Sequence, residues 1–216
     1  MVLRFNKLNV LLALMFTFHW CAGKRVDLMT FLKQGSTIWT LYSNITANMT
    51  CQNDRVTHKN WRHVTLNRTF LNESKKSSFI IKDVITMSFP EFTDSLLIPP
   101  YKGPTYLIEK ILFQSDDNSC GVFDVQYYKN NAVNGPSGIP FWGILALERR
   151  DAISARYLPT PGSLLSRWLE VRVWNSTIDQ IEKELNSSCI KHYGQYRPKN
   201  NKTIYNTTCR QLTQAL

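Results

Sequence analysis

The sequence lacks the signatures of the common catalytic sites. It has no Gly-x-Ser-x-Gly turn and no phosphate-binding glycine loop, so neither a serine hydrolase of the α/β class nor a P-loop enzyme is indicated. No two cysteines are spaced Cys-x-x-Cys, which argues against zinc and redox-pair chemistry. Histidine is scarce: His19 falls in an N-terminal apolar run, and His58, His63 and His192 show neither metal spacing nor a nucleophile partner. Paired carboxylates cannot be assigned from spacing. The chain therefore reads as a non-enzyme that needs no cofactor and no metal.

Long apolar runs are missing too. Past residue 23 nothing approaches the roughly 20 apolar residues of a membrane span. Acidic residues are few, 16 against 26 Lys and Arg, giving a net charge of +10. A basic balance of this size can mark contact with nucleic acid, heparin or anionic membrane. Here the basic residues are scattered, with pairs such as Lys75-Lys76 and Arg149-Arg150 as the longest runs, so a solvated basic surface is the better reading and no nucleic-acid partner is expected. There is no internal repeat and no low-complexity tract.

Residues 1–23 have the form of a secretory signal. Arg4 and Lys7 give the positive start, Val10 to Phe18 the apolar run, and Cys21-Ala22-Gly23 the small residues before a cut. The expected mature domain is 24–216, secreted and extracellular, with a length that suits one domain and a core of its own. Four cysteines remain in it: Cys51, Cys120, Cys189 and Cys209. In an oxidising compartment an even number reads as two disulfides, and the spacing leaves all three pairings open. Asn44, Asn48, Asn67, Asn72, Asn175, Asn186, Asn201 and Asn206 each begin an Asn-x-Ser/Thr triplet. About two or three would arise by chance, so a heavily glycosylated protein with exposed backbone at these points is expected.

From Thr37 to Trp174 the chain reads as short strands between polar or Pro/Gly turns. They fall near 37–43, 49–58, 64–71, 78–89, 96–98, 106–114, 121–129 and 168–174, after a short helix over 26–34 that ends at Gly35. Such a run suggests a sandwich or an up-and-down barrel. A helix follows the last strand, capped by Ser176 or Thr177 with Gln180 at capping-box spacing. Ile178, Ile181 and Leu185 form its apolar stripe, which would lie on the outside of the barrel. The polar tail from Cys189 to residue 216 cannot bury enough surface to hold itself, so disulfides must tie it down.

The stretches DNSCGVFDVQYY, LEVRVWNSTIDQIEKELNSSC and TIYNTTC, in this order, resemble the tick salivary lipocalins of the histamine-binding-protein family. The resemblance is clearest from Cys120 to Cys209. It implies a mainly β fold: an eight-stranded antiparallel lipocalin barrel around a ligand cavity, with a short N-terminal helix and a C-terminal helix packed outside. It also implies the pairing Cys51–Cys209 with Cys120–Cys189. By the same resemblance the protein is a salivary monomer that sequesters a small host mediator and suppresses inflammatory or immune responses. One subgroup, the Japanin-like proteins, acts on host dendritic cells.

Several residues depart from the family pattern. Amine-binding members tend to carry an acid directly after the cysteine, where this chain has Gly121. They also have Glu-aliphatic-Trp where this chain reads Glu170-Val171-Arg172. An unusually long stretch, about 130–165, reads as an insertion with an extra strand or hairpin at 142–149, either a lid or a surface elaboration. Strand alternation puts Trp168, Glu170, Arg172 and Trp174 on one face of the last strand, and Gly121, Phe123, Val125 and Tyr127 on one face of its neighbour. Val64, Leu66 and Phe70 point inward on an earlier strand, with Arg68 as the odd member.

The candidate ligand contacts are thus Glu170, Trp168, Arg172, Phe123, Tyr127 and Asp83. Trp168, Phe123 and Tyr127 would serve equally well as barrel packing. Glu170 is expected to be neutralised by Arg172, and Asp83 to meet a ligand amine or Arg68, or to reach water. The interior then reads as aromatic and apolar with one polar spot. That favours a lipid- or sterol-like ligand over histamine or serotonin. Contact with host immune-cell proteins through surface loops is the remaining alternative.

Overall fold

The computed structural model describes residues 26–60, 63–72, 75–86, 94–98, 105–129, 163–183, 187–196 and 198–214. The proposed signal, Asn186, Leu185 and the 142–149 hairpin lie outside the described residues. Eight antiparallel strands follow one another: β1 Thr37–Ser43, β2 Met49–Lys59, β3 His63–Asn72, β4 Lys75–Thr86, β5 Ser95–Ile98, β6 Thr105–Gln114, β7 Cys120–Lys129 and β8 Ser163–Trp174. Each pairs with the next, and β1 pairs with both β8 and β2, so the ladders run in a closed cycle. The fold is mainly β and barrel-like. A two-residue strand, β9 Lys202–Thr203, adds to β1 from the tail.

Strand positions follow the sequence pattern closely, with one displaced boundary. β8 begins at Ser163, five residues before the expected Trp168, so the insertion ends earlier than residue 165. Its first part pairs with β7 through Ser163↔Lys129, and its residues 163–167 are exposed. Leu164 and Leu165, each 51% exposed, are adjacent and so fall on opposite faces without alternating, which is why the strand pattern begins only where burial does.

The interior and exterior faces of the barrel have different cores. Inside, Ile38, Val56, Val64, Leu66, Ile111, Phe123 and Val125 are buried together with Leu28, Phe31 and Leu32. The last three come from α1 Leu28–Phe31 and its exit, a helix half as long as expected, capped by Asp27 accepting from Met29 N at 2.9 Å. The Trp174 indole donates to Phe31 O at 3.0 Å, and Asp27 N donates to Gln114 Oε1 at 2.8 Å. Gly35 then turns the chain into β1 at φ +80°, a left-handed conformation that glycine adopts without penalty. α1 thereby closes one end of the barrel. Outside, Trp39, Leu41, Val122, Val171 and Val173 lie under Ile178, Ile181 and Tyr193.

The expected single C-terminal helix is two helices. α2 covers Ile178–Lys183, and α3 Ser188–Gln195 starts afresh at Ser187, whose Oγ accepts from Ile190 N. Cys189 therefore sits in the first turn of α3. Thr177 forms no capping box. Its hydroxyl donates to Trp174 O at 3.2 Å, joining the turn to the strand before it.

The disulfides join Cys51 to Cys209 and Cys120 to Cys189. The first explains the tail. Cys51 lies at a bulge of β2, where the register shifts between Thr50 and Asn53, and its φ of 52° is left-handed. Such a conformation costs a residue with a side chain about 1–3 kcal/mol. The tail offsets it: Ile204 O accepts from Cys51 N at 2.8 Å, Leu41 O accepts from Ile204 N at 2.9 Å, and Cys209 opens α4 Cys209–Gln214 at the bridge. Ile204 and Tyr205 are buried, the Tyr205 ring edge-on to Trp39 at 5.1 Å. The polar loop is therefore anchored through two buried side chains and one bridge. Of the sequon asparagines, Asn48, Asn72, Asn175, Asn201 and Asn206 are exposed, while Asn44 and Asn67 are half-buried.

Replacing Cys51 and Cys209 together by alanine should lower unfolding stability by about 2–4 kcal/mol in chemical denaturation. Amide exchange should quicken around Ile204 while α3 stays protected. Loss of protection in both places would refute this division.

Candidate functional site

The strand alternation that buries the apolar interior also brings five charged side chains into it. Asp54 comes from β2, Arg68 from β3, Glu109 from β6, and Glu170 and Arg172 from β8. All five are at most 6% exposed. The ladders explain the meeting: Asp54 is opposite Arg68, Glu109 opposite Val125, and Glu170 opposite Phe123. Residues directly opposite in a ladder share a face, so these side chains all turn into the barrel.

They form one alternating row. Arg68 grips Asp54 with two bonds, Nε to Oδ1 at 2.6 Å and Nη2 to Oδ2 at 2.7 Å. Its Nη1 lies 2.8 Å from Glu109 Oε1. Glu109 Oε2 accepts from Arg172 Nη1 at 2.5 Å, and Arg172 Nε donates to Glu170 Oε2 at 2.7 Å. Arg172 Nη2 also stands 2.7 Å from Glu170 Oε2. The Arg68 Nη1 and Arg172 Nη2 contacts are ion pairs whose angles fall short of hydrogen-bond geometry. The Trp168 indole ends the row, donating to Glu170 Oε1 at 2.7 Å.

Burial by itself would push the Glu109 carboxyl upward. Arg172 and then Arg68 outweigh it and hold Glu109 at about 2, against an ordinary 4.5. Burial also disfavours the charged guanidiniums. Asp54 and Glu109 reverse this for Arg68, and Glu109 and Glu170 do so for Arg172, so both are raised. Three carboxylates face two guanidiniums, one acid more than base. Every carboxylate oxygen has a nitrogen of the protein within 2.8 Å, and Glu170 Oε2 also accepts from Gln52 Nε2 at 3.4 Å. Gln52 also donates to Thr40 Oγ1 at 3.0 Å.

The expected pair of Glu170 and Arg172 is present, both inside. The expectation of one polar spot is corrected: the interior crosses from β2 to β8 on a row of charges. Sequence reasoning followed the faces of β3, β7 and β8. It flagged Arg68 as out of place but missed Asp54, Glu109 and Gln52. Glu109 had a signal, since it stands between Leu107 and Ile111 in an otherwise apolar alternate row. Asp54 had none, because Gln-Asn-Asp reads as an exposed stretch.

The aromatic candidates separate by depth. Phe123 is wholly buried, with the Arg172 guanidinium 4.5 Å over its ring and Phe31 at 5.3 Å, so it is a packing residue of the closed end. Trp168 and Tyr127 are half-buried on the same face, further from α1, in a ladder that places Val125 opposite Trp168 and Ser166 opposite Tyr127. Asp83 is in β4, and its side chain lies outside the described residues. Arg68, its expected partner, is held by Asp54 and Glu109 instead. Gly121 has a steric cause: a Cβ there would stand 3.0 Å from Ile111 Cδ1 and from Phe123 Cε2, and 3.3 Å from the Phe113 carbonyl. An acid at this position does not fit without movement. Among the described residues no cluster of three or more His, Cys, Asp or Glu could hold a metal. No helix among them is long and apolar enough to cross a membrane.

Two outcomes test the row. Arg172→Met strips Glu109 and Glu170 of their shared cation and should destabilise the fold by about 3–5 kcal/mol, read from denaturant midpoints. Because Glu109 is held below its ordinary value, its contribution is complete above about pH 4.5 and is lost as pH falls from there toward 2. Unfolding stability measured across that window should therefore fall, and Glu109→Gln should flatten the slope.

The sequence was compared with protein-family models and with curated proteins, and neither comparison returned a match.

Proposed function

We propose that the protein is a secreted lipocalin that binds and sequesters a small hydrophobic host mediator, lipid- or sterol-like, within its barrel, and so suppresses host inflammatory or immune responses. The support comes from three sources: the resemblance carried by Cys120 to Cys209, an antiparallel barrel closed at one end by α1, and helices on the outer face of β8. Salivary delivery into a host rests on the resemblance alone.

The observation that carries the ligand class is that five carboxylate oxygens of the row accept hydrogen bonds from the protein itself and the sixth, Glu109 Oε1, is ion-paired with Arg68 at 2.8 Å. An ammonium ligand needs a carboxylate to receive it, and displacing Arg172 or Arg68 would leave a buried guanidinium unpaired. Gly121 removes the other acid that amine binding would use. A hydrophobic ligand instead meets Trp168 and Tyr127 on the far side of the row from α1.

One observation favours a second reading. The row has one more carboxylate than guanidiniums, and a monocationic amine such as histamine or serotonin would balance it.

Native mass spectrometry of the secreted, enzymatically deglycosylated protein, titrated with cholesterol, arachidonate, histamine and serotonin, decides between them. A saturable lipid adduct with no amine adduct is the expected result. Tight amine binding without lipid would overturn the hydrophobic reading and place Glu170 at the ammonium. Binding of neither class would move the function to the protein's surface loops.

A further inference from the structure

We infer that Gln52 is a ligand-contacting residue, and that it selects an uncharged amphiphile whose polar end is a hydroxyl donor. The inference rests on the hydrophobic-ligand reading and narrows it. Gln52 is on β2, two residues beyond Asp54 in the direction away from α1, and is 3% exposed.

Its amide has one possible orientation. Glu170 Oε2 already accepts from Arg172 Nε, so it meets Gln52 as an acceptor, and only the amide nitrogen can face it. The same nitrogen donates to Thr40 Oγ1. The carbonyl oxygen Oε1 must therefore turn away from both. Among the described residues it accepts no hydrogen bond, and it is not one of the fully enclosed side-chain atoms without a partner, so an incoming donor can reach it. Gln52 Oε1 is thus an open acceptor, and its position beyond the charge row puts it on the side where Trp168 stands.

The charge row sets the second half of the specificity. A lipid carboxylate brings acceptors only, so it cannot satisfy Gln52 Oε1. It would also add a negative charge beside a row that already has one carboxylate in excess and whose two guanidiniums already face carboxylates. A hydroxyl satisfies Oε1 and adds no charge.

Three probes of one chain length separate these claims in the full, secreted, disulfide-bonded protein: hexadecanol, its methyl ether and hexadecanoate. Displacement titration should show hexadecanol binding roughly tenfold more tightly than the ether, the size of one hydrogen bond made or lost. Hexadecanoate should bind more weakly than the alcohol. In Gln52→Met the preference for alcohol over ether should vanish while both still bind. Equal affinity for alcohol and ether in the unaltered protein overturns the role of Gln52 and leaves the hydrophobic-ligand reading standing, whether or not the variant folds. Tighter binding of hexadecanoate, or a preference that survives in Gln52→Met, overturns the selection proposed here. Binding of none of the three overturns both this inference and the reading beneath it.

Discussion

The buried row Asp54–Arg68–Glu109–Arg172–Glu170 constrains everything around it. Five ionised side chains out of water are tolerable only when each is held by opposite charge at hydrogen-bond distance, because an unpaired buried charge costs several kcal/mol. The row satisfies this by strict alternation, and the alternation requires four strands to meet at one level. A slip of one residue in β2, β3, β6 or β8 would turn one member outward and strand its neighbour. The row thus acts on register as well as on polarity. It divides the interior into an apolar floor sealed by Phe31 and Phe123 and a region beyond it where Trp168, Tyr127 and Gln52 stand.

β8 ties this interior to the exterior. Its alternate residues Glu170 and Arg172 belong to the charge row, while Val171 and Val173 form the seat for Ile178 and Ile181. The Cys120–Cys189 bridge fastens α3 over the same outer face, next to the strand that carries Phe123. Stability of the outer layer and geometry of the inner site therefore share one strand. The same economy holds at β1 and β2, where the tail, Cys51 and the bulge form a second anchor.

Much of this was legible in sequence. The strand rhythm located the strands but left sandwich and barrel open, and alternation sorted the residues of β8 into two faces with Glu170 and Arg172 on the same one. The C-terminal helix was harder to read. Ile178 and Ile181 were in place, but the stripe expected to run on through Leu185 belongs to a chain that breaks before Ser187 and starts again. Local periodicity does not reveal a break that the Cys120–Cys189 bridge and the packing of α3 stabilise from a distance. Asp54 was illegible, and Glu109, though marked by its apolar row, could not be given a partner, for a related reason: a single polar residue in a strand looks the same whether it meets water or a guanidinium from another strand.

The sequence by itself determined the class of fold, the even set of cysteines, the inward face of β8 and the absence of catalytic signatures, because these depend on residue type and local spacing. The resemblance, not the spacing, supplied the cysteine pairing. Only the tertiary structure decided which charges share the interior, which amide oxygen is left open to a donor, and why a cysteine at φ 52° is held in place by the tail. Those facts depend on which strands become neighbours. Asp54 and Arg68 are 14 residues apart in sequence, and Glu109 and Arg172 are 63 apart. Closure of the barrel brings all four within one row of paired charges, and no local pattern encodes that closure.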